Sequence, residues 1–164
     1  MSLFLISIKR PAMKKLLFSI IFCFSAVLLS AQSINPDYDK ALADSLGGND
    51  NGMKMYTFVI LKTGPNPIHD KKTRDSLFTG HMANINRLAA MGKLIVAGPF
   101  ETNAHHYRGL FILNVQSTEE AKALLDQDPV IHSKLMEAEI FQWFGSAALP
   151  KYMPFHDKIT KKKM

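Results

Sequence analysis

His81 and Asp128 are the two side chains whose chemical types are suited to moving a proton together. His81 lies four residues after Leu77 and four before Ile85, on or beside the apolar stripe of a helix predicted over residues 72–91. Imidazole titrates near neutral pH and acts as a general base or acid when a carboxylate orients it. Asp128 is the candidate carboxylate, at the start of the turn after the second predicted helix. Spacing cannot bring the two together; only the fold can.

Each of these residues also has an interpretation without chemistry. A histidine on an apolar helix face can be a core residue that bonds a backbone carbonyl. An Asp followed by Pro129 is an ordinary helix N-cap with proline at the first helical position. Arg108, just before the third strand, could hold an anionic group of a substrate or face solvent. The residues alone leave both interpretations open in each case.

The other motifs argue against several classes of site. His105 and His106 are adjacent, so they point in opposite directions on an extended segment, and no His-x3-His helix or carboxylate ligand set accompanies them. The single cysteine, Cys23, excludes a disulfide framework and a Cys-based zinc site. Phosphate-loop, dinucleotide and nucleophile-elbow patterns are missing from the sequence. We therefore expect neither a metal nor a cofactor.

The elements that must position these residues follow a βαββαβ order between residues 55 and 149. Strand-like runs cover residues 56–61, 94–97, 110–115 and 139–144, and a second helix runs from a capping box at 117–120 to 125. This order is the α+β, ferredoxin-like pattern, with the helices on one face of an antiparallel sheet.

The first and third strands are almost continuously apolar, so both faces of the sheet require burial. One small domain cannot cover its second face, and an exposed apolar face of that size marks an interface. We therefore predict a homodimer in which two sheets pair into a dimeric α+β barrel. Phe141 and Trp143 lie two residues apart in the last strand; one of them could face this interface, but we prefer a core position for both.

The excess positive charge lies at the two ends of the chain. The sequence has 20 Lys and Arg against 14 Asp and Glu, but residues 1–31 hold four of the cations and no acid. Without residues 1–31 the excess is two positive charges, which is fewer than the three charges of the C-terminal lysines Lys161, Lys162 and Lys163. The domain shows no basic face interleaved with aromatics, so we expect no nucleic-acid partner. Three lysines are too few to hold a protein on a membrane.

Residues 1–31 have the pattern of a secretory signal peptide. Lys14 and Lys15 precede an apolar run over 16–29 that is shorter than the roughly 20 residues of a membrane span, and small residues follow. We predict cleavage after Ala31 and a periplasmic or secreted protein without stable membrane association; an uncleaved anchor is the alternative. Residues 32–54 are a polar linker with a possible short helix over 36–46. Residues 150–164 are a Lys-rich tail, and we expect residues 152–164 to be partly disordered.

Taken together, these segments resemble the YciI-like (YCII-related) family of dimeric α+β barrels. The matching segments are residues 80–85, 94–100 and 108–112 and the pair Asp128-Pro129, and the similarity covers residues 55 to about 149. The resemblance implies a ferredoxin-like subunit, a homodimer and an active site with the family's His and Asp at His81 and Asp128. One branch of the family dehydrochlorinates chlorinated hydroxyhydroquinones, and muconolactone isomerases have a similar fold. Both move protons on small cyclic oxygenated compounds without a metal.

Two functions follow as hypotheses for an exported protein of this kind. In the first, a lyase or isomerase, His81 moves a proton on a ring-bound or α-carbonyl carbon, Asp128 fixes its tautomer and Arg108 steadies a substrate oxyanion. In the second, a non-catalytic dimer binds a small ligand or is structural, and His81 and Asp128 are a buried histidine and a helix cap. A His81 nitrogen within about 3 Å of an Asp128 oxygen, beside an open pocket, favours the enzyme. An Asp128 wholly engaged by backbone N–H groups favours the second hypothesis.

Overall fold

A four-stranded antiparallel sheet is the framework of the domain. The computed structural model describes residues 35–161. The chain divides into two units, Met1–Asp39 and Lys40–Met164, and all elements below belong to the second. The strands are β1 (Met53–Thr63), β2 (Leu94–Pro99), β3 (Tyr107–Leu113) and β4 (Met136–Ser146), in the spatial order β2-β3-β1-β4. This order confirms the α+β, ferredoxin-like prediction. The predicted leader, residues 1–31, lies outside the described residues.

The helices predicted between the strands are present, and further helices precede β1 and follow β4. They are α1 (Lys40–Leu46), α2 (Lys71–Ala90), α3 (Thr118–Leu125) and the short α4 (Pro129–His132); after β4 come a 3-10 helix (Leu149–Tyr152) and α5 (Met153–Ile159). Asp70 caps α2 by accepting from the backbone of Thr73 at 2.7 Å, and hydrogen bonds from Thr73 hold the pKa of Asp70 below its usual value. No helix in the described part of the chain is long and apolar enough to cross a membrane.

The capping box at residues 117–120 is only half formed. Ser117 accepts from the backbone N–H of Glu120 at 3.1 Å, as the sequence predicts. The Glu120 carboxylate does not complete the box; it accepts from Lys93 Nζ at 2.8 Å. An ion pair with the residue before β2 therefore replaces the second capping bond and ties α3 to the start of that strand.

The core lies between one face of the sheet and the helices α2, α3 and α4. Val59 and Leu61 of β1 and Phe111 of β3 are buried there together with Leu88 of α2 and Leu125 of α3. Burying a side chain of this kind contributes roughly 1.5–3 kcal/mol before entropy is counted. The alternation along β1 places Phe58 and Ile60 on the opposite face, where both are only partly buried.

That opposite face is apolar and open. Phe58 is paired in register with Ile112 of β3 and Phe141 of β4, so these side chains point to the same side. The core position preferred for both Phe141 and Trp143 was wrong, and both of them, rather than one, lie on this face. Residues two apart in a strand share a face, and Phe141 and Trp143 are 48% and 38% exposed.

The C-terminal segment is helical over residues 149–159. The hydroxyl of Tyr152 donates a hydrogen bond to the backbone carbonyl of Ile95 in β2. Burial raises the pKa of Tyr152, so the phenol remains a donor at neutral pH. The tail is therefore attached to the sheet by a specific contact.

Candidate functional site

The fold brings His81 and Asp128 into direct contact. His81 lies in the middle of α2, and Asp128 is the N-cap of α4, 47 residues later. His81 Nδ1 and Asp128 Oδ2 are 2.7 Å apart, within the range of a strong charge-assisted hydrogen bond. The Asp128 side chain is fully buried, and His81 is 8% exposed. Two residues that the sequence could not link by spacing thus form a pair.

Asp128 combines the two roles that the sequence left as alternatives. Its Oδ1 accepts from the backbone N–H of Val130 at 3.1 Å, which is the helix-capping bond. Its Oδ2 accepts from His81 and, at 3.1 Å, from the Nδ2 of Asn84. The cap therefore engages only one oxygen, and the other remains available to orient the imidazole.

This arrangement assigns the tautomer of neutral His81. An ionised carboxylate can only accept hydrogen bonds, so the proton of the neutral ring is on Nδ1 and the lone pair is on Nε2. Nε2 has no hydrogen-bond partner among the described residues. Every fully buried side-chain nitrogen or oxygen of those residues does have a partner, so Nε2 is not one of the fully buried atoms. Nε2 is therefore accessible and has the lone pair that a general base needs.

The ring plane of His81 is fixed by two aromatic neighbours. The imidazole stacks on Phe111 of β3 with centroids 6.0 Å apart and planes at 27°. Phe78, one turn earlier in α2, contacts it edge-on at 6.3 Å and 85°. Because aromatic rings pack with such preferred geometries, these contacts and the bond to Asp128 hold the ring in one orientation.

Gly80 allows α2 to lie close enough to α4 for this pair to form. A Cβ at position 80 would lie 2.6 Å from Pro129 Cγ, closer than carbon atoms pack. Pro129 is the first residue of α4 and directly follows Asp128. The missing side chain of Gly80 thus sets the distance between the helix that carries His81 and the turn that carries Asp128.

A cavity of about 390 Å³ opens beside His81, between α2 and the strands. Its walls are mainly apolar, and they are formed by Leu61, Phe78, Met82, Ile85, Phe111 and Met136. His81 and Arg108 are the lining residues with titratable or charged side chains. The Arg108 guanidinium forms no hydrogen bond or ion pair with any of residues 35–161, so it is available to an anionic group. A pocket of this size and polarity suits a small, largely apolar molecule.

Asn84 and Arg87 are site residues that the sequence analysis missed. Asn84 lies three residues after His81, on the same face of α2, and is 6% exposed. Arg87 Nη2 donates to Asn84 Oδ1 at 2.7 Å. The signal in the sequence was that Asn84 lies three residues after His81, on the same apolar face of the helix. A polar side chain that is buried on such a face needs a hydrogen-bond partner.

The other histidines do not gather around this pair. His105 stacks on Tyr107 with centroids 5.2 Å apart, and His106 adopts a positive φ of 56° in the loop before β3. His132 ends α4. Within residues 35–161, no group of three or more His, Cys, Asp or Glu side chains is arranged to hold a metal ion.

Comparisons with known proteins match this domain. The family model described as the YCII-related domain matches residues 55–144. Among solved structures, the chain is similar to 5-chloro-2-hydroxyhydroquinone dehydrochlorinase from Burkholderia phenoliruptrix AC1100, in complex with 2,5-dihydroxybenzoquinone. The identity is 20%, the TM-score is 0.40, and the match covers 53% of this chain and 92% of that one. The comparison with curated proteins gave no match.

We predict that Gly80→Ala lowers the free energy of unfolding by about 1 kcal/mol, because the overpacking that typically costs 1–3 kcal/mol outweighs the gain in helix propensity. The new methyl group must push α2 away from Pro129 and lengthen the His81–Asp128 bond. Urea denaturation measures the first effect, and the side-chain NMR signals of His81 report the second. Ser76→Ala, on the exposed part of α2, is the control for helix propensity. A Gly80→Ala protein as stable as this control, with unchanged His81 signals, would contradict the prediction.

Proposed function

Because this chain belongs to the YCII-related domain family, we propose that it is a lyase or isomerase in which His81 transfers a proton on a small cyclic oxygenated compound. The observation that carries the proposal is the His81–Asp128 bond of 2.7 Å at the wall of an open cavity. A base oriented by a carboxylate and facing a cavity is the arrangement that proton abstraction requires.

The proposed reaction follows from the position of the proton and the lone pair on the His81 ring. Nε2 of His81 takes a proton from a carbon next to a carbonyl or on the ring, and the electron pair of the broken C–H bond forms an enolate or a double bond. Asp128 stabilises the imidazolium that results. In an isomerase His81 returns the proton to another carbon; in a lyase a leaving group departs with its bonding electrons. Arg108, across the cavity wall, stabilises the negative oxygen as it develops.

The size of the cavity limits the substrate. At about 390 Å³ it lies at the lower end of the range of small-molecule pockets, roughly 300–1,000 Å³. Apolar walls with one cation and one base suit a single ring that has an anionic or enolisable oxygen. The leader pattern of residues 1–31 supports export, so this substrate is met in the periplasm or outside the cell.

The open face of the sheet supports a homodimer as the working form of the protein. Phe58, Ile112 and Phe141 lie side by side on this face, with Trp143 one pair further along β4. Apolar side chains that are exposed together in this way mark an interface, and a second copy presents the same complementary surface.

The first prediction for the proposed reaction concerns His81. With chlorinated hydroxyhydroquinones and related one-ring compounds as substrates, we expect His81→Gln to lower kcat by on the order of 10²-fold or more, the usual contribution of a general base. Asp128→Asn lowers kcat as well, because an amide does not hold the Nδ1–H tautomer as a carboxylate does. His156→Gln, in the exposed C-terminal helix, is the matched control. Full turnover by His81→Gln would refute the mechanism. Binding without turnover by the unaltered protein would favour the non-catalytic ligand-binding dimer.

A second prediction separates the role of Arg108 from that of the base. We expect Arg108→Gln to weaken the binding of an anionic ring compound by roughly tenfold, since a hydrogen bond to a charged group contributes about 1.5–3 kcal/mol. Its neutral analogue should bind as before, and calorimetry measures both affinities. Arg74→Gln, which removes a cation from α2 away from the cavity, is the control. Equal losses for the anionic and neutral compounds would exclude an anion-binding role.

The third prediction tests the dimer. Phe141→Lys places a charge on the open face beside Phe58, and we expect it to convert a dimer into monomers, because burying an unpaired ammonium is strongly unfavourable. Light scattering after size-exclusion chromatography measures the mass. Met91→Lys changes an equally exposed side chain at the end of α2 and should leave the dimer intact. A monomeric unaltered protein, or a dimeric Phe141→Lys, would show that this face does not mediate association.

A further inference from the structure

A chain of hydrogen bonds extends from the candidate base to the surface of α2. It runs from His81 to Asp128 Oδ2, from Asp128 Oδ2 to Asn84 Nδ2 at 3.1 Å, and from Asn84 Oδ1 to Arg87 Nη2 at 2.7 Å. Asn84 is buried and Arg87 is half-buried. Neither residue lines the cavity beside His81. The chain therefore reaches the base from the side away from any bound ligand.

The two ends of the chain fix the orientation of the Asn84 amide. A guanidinium only donates hydrogen bonds and a carboxylate only accepts them. Asn84 Oδ1 must therefore face Arg87, and Nδ2 must face Asp128. A flipped amide would put two donors together at Arg87 and two acceptors together at Asp128.

The same chain compensates the charge of Asp128. When His81 is the neutral base, the fully buried carboxylate holds a negative charge without a cation in direct contact. A buried charge is stable only when it is paired or well hydrogen-bonded. Asn84 provides one donor in addition to the backbone of Val130, and Arg87 brings a positive charge one amide away.

From this geometry we propose that Asn84 and Arg87 are positioning residues of the site. They hold Asp128 in the orientation in which it binds the Nδ1–H of His81, so that Nε2 stays free towards the cavity. The inference rests on the proposed function for its catalytic consequence. Its structural part, the order of the His81–Asp128 bond, is measurable in the resting protein without a substrate.

The first test measures the proton on His81 Nδ1 by NMR. We expect a slowly exchanging Nδ1–H in the unaltered protein, and exchange with water roughly tenfold faster in Arg87→Met, because that variant lacks the charge-assisted bond that fixes the Asn84 amide. Asn84→Leu, which keeps the branched shape of the side chain but removes both bonds, should have the larger effect. Arg87→Lys should retain slow exchange, because an ammonium still donates to Asn84 Oδ1. Arg74→Met, which removes a cation of the same helix without a bond to Asn84, is the control.

The second test uses the kinetics of the same variants with a turned-over one-ring compound. Arg87→Met should lower kcat by on the order of tenfold and leave KM within about twofold, because a displaced catalytic group slows the chemical step while the cavity is unchanged. A role in stability alone would accelerate the exchange of all slowly exchanging protons of the core together, and it would leave kcat per folded enzyme unchanged.

The outcomes separate this inference from the proposed function. Exchange rates in Arg87→Met and Asn84→Leu equal to that of Arg74→Met would overturn the inference, whatever the kinetics. If Asn84→Leu does not fold, the exchange rate in Arg87→Met, at the surface end of the hydrogen-bond chain, still tests the inference. Accelerated exchange without turnover of any compound would support the positioning role and refute the enzyme. Normal exchange together with a large kcat loss in His81→Gln would support the enzyme and overturn the positioning role.

Discussion

The site depends on one physical constraint, which is that a fully buried carboxylate must be surrounded by hydrogen-bond donors. The donors of Asp128 come from two places in the chain: the backbone of Val130 in its own turn, and His81 and Asn84 in α2. The short helix α4 cannot satisfy Asp128 alone. Burial of this one side chain therefore requires α2 to lie against α4, and it positions the imidazole as it does so.

The contact between α2 and α4 also determines which faces of α2 are free. Gly80 lies against Pro129, so the helix meets α4 with almost no side chain between them. Phe78, Met82 and Ile85 of the same helix form one wall of the cavity. The close contact of Gly80 with Pro129 thus lies on one side of α2, and the cavity lies on another.

Most of the fold was predictable because hydrophobic periodicity and turn residues are local signals. The order of strands and helices agrees with the structure, and α2 begins and ends within one residue of the prediction over 72–91. The capping box was predicted only in part, because Lys93 competes for the Glu120 carboxylate and is distant in the sequence. The helical tail was missed because the contact of Tyr152 with Ile95 has no local signature.

The site was predictable as a set of residues but not as an arrangement. The resemblance pointed to His81 and Asp128, yet their contact spans 47 residues and depends on the fold. The dual role of Asp128, a cap on one oxygen and a histidine partner on the other, cannot be read from an Asp-Pro pair. Asn84 could have been found from its spacing to His81, whereas Arg87 becomes relevant only once Asn84 is seen to be buried.

The Tyr152 contact has a consequence for one edge of the sheet. Strand β2 is the outermost strand on its side of the sheet, and such a strand offers unpaired backbone groups to which another chain can add in an extended form. Here the Ile95 carbonyl is occupied by the phenol, and Pro99, at the end of the strand, has no N–H to donate. The C-terminal segment thus occupies a backbone acceptor of this strand and hinders the addition of another strand at that point.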